Sequence, residues 1–240
     1  MRGNVISYIE MCLKEGASLQ RGMNFRLKGK YSVILMSIRP NAPYRDLVQD
    51  EGAVLIYEGH DAPKRAGVLS TKSIDQPYYT PRGSLTENGK FYEAAQDFKK
   101  NQKGPDIVKV YEKIKDGIWT DNGFFHLTDS WNERDETRQV FKFKLVAIEG
   151  LPEDSSAIDV STHHIQRSRI IPTNVKLEVW ARDGGKCVAC GSNDELHFDH
   201  ILPYSKGGTS LKADNIQLLC ARHNLAKSDK IEWIVIANFT

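Results

Sequence analysis

Four residues near the C-terminus have the types and the spacing of ligands for a metal ion. Cys187 and Cys190 form a C-x2-C pair, and Cys220 and His223 form a C-x2-H pair. Each pair can close a tight turn with both side chains inside, so together they can surround one zinc ion tetrahedrally. The remaining cysteine, Cys12, stands alone, which favours a metal site over a disulfide framework. The alternative, three buried cysteines beside an incidental histidine, leaves the paired spacing unexplained.

A second set of chemistry-bearing residues lies between and just after these pairs. Asp199 and His200 end a predicted strand, and Asn215 and Asn224 follow further along the chain. A histidine can act as a general base, and carboxylate and amide oxygens can bind a divalent cation. These residue types can therefore serve a metal-assisted hydrolysis.

Composition sets broad limits on this chain. Its 240 residues are enough for one large or two modest domains, and 40% hydrophobic with 27% charged residues is ordinary for a globular protein. The net charge of +2 does not by itself indicate a nucleic-acid binder. No apolar run is long enough to span a membrane, and the N-terminus lacks the pattern of a signal peptide. We therefore expect a cytoplasmic protein without membrane contact.

Short apolar runs predict strands in the first two thirds of the chain. Residues 31–38 and 53–57 have the composition of buried strands and are separated by a segment rich in turn residues. Residues 107–114, 123–131 and 139–148 are also strand-like. The last run alternates apolar and basic residues, as a half-buried antiparallel strand does.

Helical patterns occur at three places. An amphipathic N-terminal helix is indicated by four apolar residues at helical spacing: Val5, Ile6, Ile9 and Leu13. Residues 88–100 predict a second helix with Asn88 as its N-cap, and residues 173–184 predict a third that ends at a glycine pair. Between them, residues 151–168 have low hydrophobicity, which is typical of an interdomain linker.

The C-terminal segment resembles the HNH (ββα-metal) nuclease family in its zinc-bearing form, over about residues 170–235. The matching positions follow the family order: Asp199-His200, Pro203, Gly207-Gly208, Asp214-Asn215, Leu219-Cys220, Asn224 and Lys227. The resemblance implies that His200 is the general base and that Asp199 and Asn224 bind a divalent cation, magnesium or manganese. It also implies that Asn215 fixes the loop and orients the histidine.

Two positions differ from the family pattern. Asn224 stands where the final histidine of the family name would be. His223 ends the C-x2-H pair at a position where the family usually has a cysteine, so it could bind zinc or serve the active site. We assign His223 to zinc, because otherwise Cys220 completes only a three-ligand site.

The N-terminal part resembles the SRA (SET-and-RING-associated, or YDG) domain over about residues 20–148. The similar features are a strand, a Tyr-x-Asp loop, a strand ending in Tyr-x-Gly, an Asp-Gln pair and a short helix. Asn122 separates Asp121 from Gly123, which interrupts the Asp-Gly pair of the family motif. Members of this family extrude a modified cytosine from duplex DNA into a pocket.

Three residues are implied to form that pocket. Tyr44 and Tyr57 occupy the positions of residues that stack on the base, and Asp46 that of the carboxylate that accepts from its exocyclic amine. Without the resemblance, Tyr57 is a core residue at a strand end and Asp46 forms a turn. Basic residues on nearby loops and in the C-terminal part are candidates for phosphate contacts: Arg39, Arg45, Lys64, Arg65, Arg167, Arg169, Lys176, Arg182, Lys206 and Arg222.

Together these features predict an α+β protein with an SRA/PUA-like curved β-barrel and flanking helices at residues 1–150, a linker at 151–168, and a zinc-stapled HNH domain at 169–240. The expected function is an endonuclease that reads 5-methylcytosine or 5-hydroxymethylcytosine in double-stranded DNA. One cation site cuts one strand, so double-strand cleavage requires a homodimer or two successive nicks. The alternatives are a nuclease that reads unmodified sequence or phosphorothioate DNA, a non-catalytic DNA-binding module, and an RNA-directed nuclease.

Overall fold

The computed structural model describes residues 3–64, 70–148, 170–203, 206–228 and 230–231. The predicted linker at 151–168 lies outside the described residues, as do Arg65, Arg167 and Arg169 among the candidate phosphate contacts. Within the described residues, no helix is both long enough and apolar enough to cross a membrane.

The described residues confirm the α+β class. Within the described residues, four α-helices are formed: α1 (Tyr8–Glu15), α2 (Glu87–Lys99), α3 (Thr173–Arg182) and α4 (Ala221–Lys227). Ten strands are formed: β1 (Asn4–Ser7), β2 (Met23–Asn24), β3 (Ser32–Met36), β4 (Leu47–Gln49), β5 (Val54–Glu58), β6 (Asp106–Lys115), β7 (Ile118–Arg134), β8 (Gln139–Ile148), β9 (Leu196–His200) and β10 (Ile216–Cys220).

All ten strands belong to one branched sheet. Its main path runs in the order β10-β9-β1-β7-β6-β3-β2, while β8 pairs with β7 and β5, and β4 pairs with β5. The β3–β6 pair is parallel, and the other pairs are antiparallel. The strand β1 lies between β7 and β9, so the N-terminal strand joins the hairpin β9–β10 to the rest of the sheet.

The predicted strands are confirmed, with small shifts at their ends. The strand β8 has the predicted bounds, whereas β7 begins at Ile118, before the predicted start, because its first part pairs with β1. The main hydrophobic core lies where Phe91 and Ala95 of α2 pack with buried side chains of β3, β5, β6, β7 and β8. Each large apolar side chain buried there stabilises the fold by roughly 1.5–3 kcal/mol.

The predicted N-terminal helix is wrong at its start. Residues 5 and 6 lie in β1, and α1 begins only after Ser7, whose hydroxyl accepts from Glu10 N while the Glu10 carboxylate accepts from Ser7 N. This capping box fixes the start of the helix. Ile9 and Leu13 are 70% and 75% exposed, so the apolar residues at helical spacing do not face the core.

The N-cap of α2 is Thr86, not Asn88. The Thr86 hydroxyl accepts from Gly89 N, whereas Asn88 is 2% exposed and lies within the first turn. The Asn88 amide accepts from His60 N and donates to His60 O, at 2.8 Å in both cases. The residue therefore fixes the backbone of the loop after β5, which is part of the N-terminal cavity described below.

Candidate functional site

The C-terminal site is built on the hairpin β9–β10 and the helix α4 that follows it. In the hairpin, Asp199 lies opposite Gln217, and His200 lies opposite Ile216. Successive side chains of a strand point to opposite faces, so Asp199 and His200 project to different sides of β9. A pair of adjacent residues can therefore perform two separate tasks.

A buried lysine connects α4 to the Asp199-His200 pair. Lys227 Nζ lies 2.9 Å from Asp199 Oδ2 and donates to His200 O at 2.6 Å, and its side chain is 2% exposed. Gln217 Nε2 donates to the same Asp199 oxygen at 3.3 Å. Lys227 follows Asn224 by three positions, so both lie on one side of α4. The sequence motif includes Lys227, but only the structure assigns this contact.

The imidazole of His200 is held by a second residue that sequence reasoning missed. His200 Nε2 and Ser210 Oγ are 2.9 Å apart, and Ser210 is 3% exposed. This bond fixes the orientation of the ring. Nothing in the spacing of Ser210 distinguishes it from an ordinary loop serine.

Asn215 fastens the loop between β9 and β10. Its Oδ1 accepts from Leu202 N at 2.8 Å, and its Nδ2 donates to Leu202 O at 3.2 Å and to Thr209 O at 2.9 Å. Within the same loop, Gly208 lies so close to Leu202 that a Cβ there would be 1.8 Å from Leu202 O. These hydrogen bonds and this close approach hold the two sides of the loop together.

The predicted zinc ligands lie together. One ligand atom from each of Cys187, Cys190, Cys220 and His223 lies within 4.8 Å of all the others. His223 Nδ1 is 3.1 Å from Cys220 Sγ and 3.5 Å from Cys187 Sγ, and the Cys190 and Cys220 sulfurs are 3.9 Å apart. A tetrahedral zinc site has ligand–ligand edges of roughly 3.5–3.8 Å, so these residues can hold a zinc ion.

The local backbone favours a thiolate at Cys187. Burial raises the pKa of this thiol, but hydrogen bonds from the backbone N–H groups of Cys220, Ala189 and Cys190 outweigh burial and lower the pKa to about 6. Deprotonated sulfur is the form that binds metals. The imidazole of His223 faces the sulfurs, which favours the zinc assignment over a catalytic role.

The three predicted base-binding residues lie at the ends of β4 and β5. Asp46 is 6% exposed and accepts from Ser37 N at 3.1 Å and from Glu58 N at 2.9 Å. Burial is the main reason that the pKa of Asp46 is raised to about 7, although both N–H groups oppose the shift. Tyr57 is 2% exposed, and burial raises its pKa well above the ordinary value.

His60 lies between the two predicted stacking residues, and sequence reasoning missed it. Its ring is parallel to that of Tyr44, with an angle of 6° and centroids 4.9 Å apart. Its Nε2 lies 2.8 Å from Tyr57 Oη. Burial lowers the pKa of His60 to about 4, so the imidazole is neutral at physiological pH. Only the loop after β5, which the sequence marks merely by Gly59, brings this ring to the pair.

A cavity of about 450 Å³ opens beside these rings and is lined in part by Tyr44, Asp46 and His60. This volume is typical of small-molecule pockets. Further lining residues carry positive charge: Arg21, Arg39 and Lys113. Tyr57 lies behind His60 and does not line the cavity.

Two candidate phosphate contacts are corrected by the structure. Lys176 is 1% exposed and pairs with Glu112 at 2.7 Å, so it cannot reach DNA. Arg182 donates to the carbonyls of Ala213 and Ile216 and pairs with the adjacent Asp183. Both side chains stabilise the fold. Burial separates Lys176 from Lys64, Lys206 and Arg222, which are exposed, whereas Arg182 is itself exposed but is bonded to two backbone carbonyls and to Asp183.

Solved structures similar to the chain include SRA domains. The SUVH5 SRA domain in complex with hemimethylated CG DNA is 25% identical, with a TM-score of 0.41, over 62% of this chain and 88% of that chain. KRYPTONITE in complex with mCHG DNA and SAH is 18% identical, with a TM-score of 0.42, over 65% and 34% of the two chains. Arabidopsis thaliana SUVH6 in complex with SAM is 21% identical, with a TM-score of 0.41, over 63% and 26%.

No curated protein matches the chain. A family model does match the part of the chain that contains the metal-binding cluster, the Asp199-His200 pair and α4. Residues 187–230 of this protein match the HNH endonuclease family.

Proposed function

We propose that this protein is a modification-dependent DNA endonuclease. In this proposal the N-terminal region binds a modified cytosine turned out of the duplex, and the C-terminal region hydrolyses a phosphodiester nearby. One observation carries the proposal: the segment that matches the HNH endonuclease family also contains two oriented polar side chains. The His200 ring is held by Ser210, and the Asp199 carboxylate is held by Lys227.

The C-terminal residues have distinct roles in this proposal. His200 takes a proton from the water that attacks phosphorus, and Ser210 keeps the imidazole oriented. Asp199 and Asn224 offer oxygen ligands of the kind that magnesium or manganese prefers, and they would hold that cation. When bound, the cation supplies positive charge that stabilises the leaving oxygen. Asn215 keeps the loop in place.

The N-terminal cavity supports the modified-base part of the proposal. Tyr44 lines the cavity with its ring stacked on His60 and with Lys72 Nζ 4.1 Å from its ring centroid, so a base that stacks on Tyr44 would displace the Lys72 ammonium. Asp46 offers a carboxyl group whose raised pKa leaves it partly protonated near neutral pH. Such a group can accept from an exocyclic amine and donate to a ring nitrogen, which matches the edge of cytosine. Tyr57 supports the cavity through its contact with His60. Arg21, Arg39 and Lys113 suit the phosphates of the extruded nucleotide.

The C-terminal region has a single Asp199-His200 pair, so we propose that one chain cuts one strand. Double-strand cleavage then takes a homodimer or two successive nicks. Analytical ultracentrifugation of the protein on a duplex that contains one modified site distinguishes these routes.

The experiment is cleavage of one plasmid in three forms: unmodified, with 5-methylcytosine, and with 5-hydroxymethylcytosine. Each form is incubated with magnesium or manganese. We expect cutting of the modified plasmids alone, abolished by His200→Ala, with binding of modified DNA retained. Tyr44→Ala should remove the preference for modified DNA, whereas Tyr79→Ala, at a tyrosine that is 60% exposed, should not.

The other outcomes identify the alternatives. Equal cutting of all three forms would retain the nuclease and refute the modified-base reader. Binding without cutting of any form would leave a non-catalytic DNA-binding module as the better interpretation.

A further inference from the structure

A buried polar cluster lies where α3 packs against β6 and β7. Lys176 and Glu112 are each 1% exposed, and Lys176 Nζ lies 2.7 Å from Glu112 Oε2. The same ammonium donates to Asn122 Oδ1 at 2.8 Å and to Thr120 Oγ1 at 3.2 Å. An ammonium has three N–H donors, and each has an acceptor here.

The carboxylate of Glu112 is equally well bonded. It accepts from Asn122 Nδ2 at 2.8 Å and from the Thr173 hydroxyl. Burial acts to raise the pKa of Glu112, but the charge of Lys176 and the hydrogen bonds outweigh it and lower the pKa. The pair is therefore ionised, and its charges are compensated only while α3 is in place.

Asn122 reaches this cluster because of an irregularity in β7. Opposite β6, Gly123 pairs with Val110 and Asp121 pairs with Tyr111, so Asn122 is an extra residue, a β-bulge. The bulge requires Gly123 to adopt a φ of +85°. The residue that interrupts the Asp-Gly pair of the family motif thus contacts α3 of the C-terminal region.

Apolar and backbone contacts surround the cluster. Ile114 of β6 belongs to the same buried group as Val175 and Val179 of α3. Ile170 is 4% exposed and packs in the N-terminal core. At the edge of β1, Phe198 N donates to Gly3 O at 3.0 Å.

We infer that residues 3–148 and 170–231 form one cooperative folding unit, with the nuclease region held in a single orientation by the Glu112–Lys176 cluster. A buried ion pair adds little to stability compared with a well-packed apolar contact, but leaving one partner unpaired is strongly destabilising. Such a cluster therefore selects one alignment of the two regions and opposes all others. Under the proposed function, on which this consequence rests, cleavage falls at a fixed distance from the base that is read.

Hydrogen exchange of the full chain tests the inference without DNA. The variant Lys176→Met leaves Glu112 buried without its partner. We expect amides of both β8, in the N-terminal core, and β10, in the C-terminal core, to exchange faster by on the order of 100-fold or more. The double variant Glu112→Gln/Lys176→Met removes both charges and should recover much of this loss.

A matched control makes the same chemical change at an exposed pair. Lys103 pairs with Asp97 and its side chain is 61% exposed, so Lys103→Met should leave both strands unaffected. If the two regions fold independently, Lys176→Met will leave exchange in β8 unchanged, and that result would overturn the inference.

Cleavage provides the second measurement. On a duplex with one modified cytosine, the wild-type protein should cut within a narrow window, and Lys176→Met, assayed where it stays folded, should widen that window. A broad distribution for the wild type would contradict a fixed orientation. If neither protein cuts, the proposed function fails, and hydrogen exchange still decides whether the regions form one unit.

Discussion

Burial shifts the pKa values of two residues in the N-terminal cavity in opposite directions, and both shifts favour a neutral group. The pKa of Asp46 is raised to about 7 and that of His60 is lowered to about 4, because a charged form is poorly solvated in both places. These two groups therefore add little charge to the cavity near neutral pH. This environment suits a neutral base, while the lining residues Arg21, Arg39 and Lys113 give the cavity positive charge, which Asp116 partly balances through its pairs with Arg39 and Lys113.

The shifted pKa of His60 predicts a pH dependence of stability. An unfolded histidine has a pKa near 6.5, so as the pH falls from 6.5 to 4 the unfolded state binds a proton first. The stabilisation that depends on neutral His60 is present above pH 6.5 and is lost through this window, at most about 3 kcal/mol. Asp46 has the opposite effect, since its folded pKa is raised.

Comparison with a variant separates the contribution of His60 to the pH dependence of stability from that of Asp46. We expect the difference in unfolding free energy between wild type and His60→Gln to shrink as the pH falls from 7 to 4.5, measured by urea denaturation. Asp46 is present in both proteins, so its contribution cancels. A difference that stays constant with pH would show that His60 titrates normally.

A single glycine determines whether the loop after β9 can form. A Cβ at position 208 would lie 1.8 Å from Leu202 O and 2.9 Å from Asn215 Nδ2, which no side-chain movement can relieve. Gly208→Ala should therefore destabilise the protein by about 3 kcal/mol or more and abolish the cleavage that we propose. The control is Gly104→Ala, where nothing lies within 4 Å of the new Cβ. Similar melting temperatures for the two variants would contradict this account.

At the scale of elements, the described residues of the C-terminal region contain little regular structure apart from one hairpin and two short helices. The turn that contains Cys187 and Cys190 is tied to the end of β10 and the first turn of α4 by the cluster with Cys220 and His223. Metal binding at such a cluster contributes directly to folding, because the unfolded chain has no preformed site.

Removal of the metal should therefore loosen α4. We expect the purified protein to contain equimolar zinc by mass spectrometry, and chelation to lower its melting temperature. Cys190→Ser should abolish zinc binding, whereas Cys12→Ser, outside the cluster, should retain it. Lys227 belongs to α4, so loss of zinc should also abolish the DNA cleavage that we propose. Full activity of zinc-free protein would refute this link.

At the scale of the whole molecule, the start of the C-terminal region, at Ile170, packs closely against the turn of the N-terminal region that contains Gly52. Gly52 has a φ of +90°, and a Cβ there would lie 2.7 Å from Ile170 Cβ. The close approach and the backbone conformation both require glycine at this position.

This contact gives a prediction with a close control. Gly52→Ala should displace Ile170 and lower the unfolding free energy by about 1–3 kcal/mol more than Gly83→Ala. Gly83 has a similar φ of +80° but no atom within 4 Å of the new Cβ, so it reports backbone strain alone. If thermal denaturation shows that the two variants are destabilised equally, Ile170 moves to accommodate the new methyl group without destabilising the fold.

Local sequence determined the parts of this protein that depend on residues close together along the chain. The two cysteine-containing pairs close tight turns by themselves, so their spacing predicts the ligand cluster that the structure contains. The strand β8 follows from its own composition, and its bounds agree with the prediction. The order of motif residues likewise identified the segment that matches the HNH endonuclease family.

The tertiary structure alone decided which residues meet across long separations in sequence. Val5 and Ile6 form a strand because β7 supplies their partners, Thr120 and Trp119, which outweighs their helical spacing. The sequence shows Lys176 only as a positively charged residue, and only the packing of α3 against β6 makes it a buried partner of Glu112. His60 reaches Tyr44 through the path of one loop. Burial and pairing are non-local properties, and composition and spacing do not encode them.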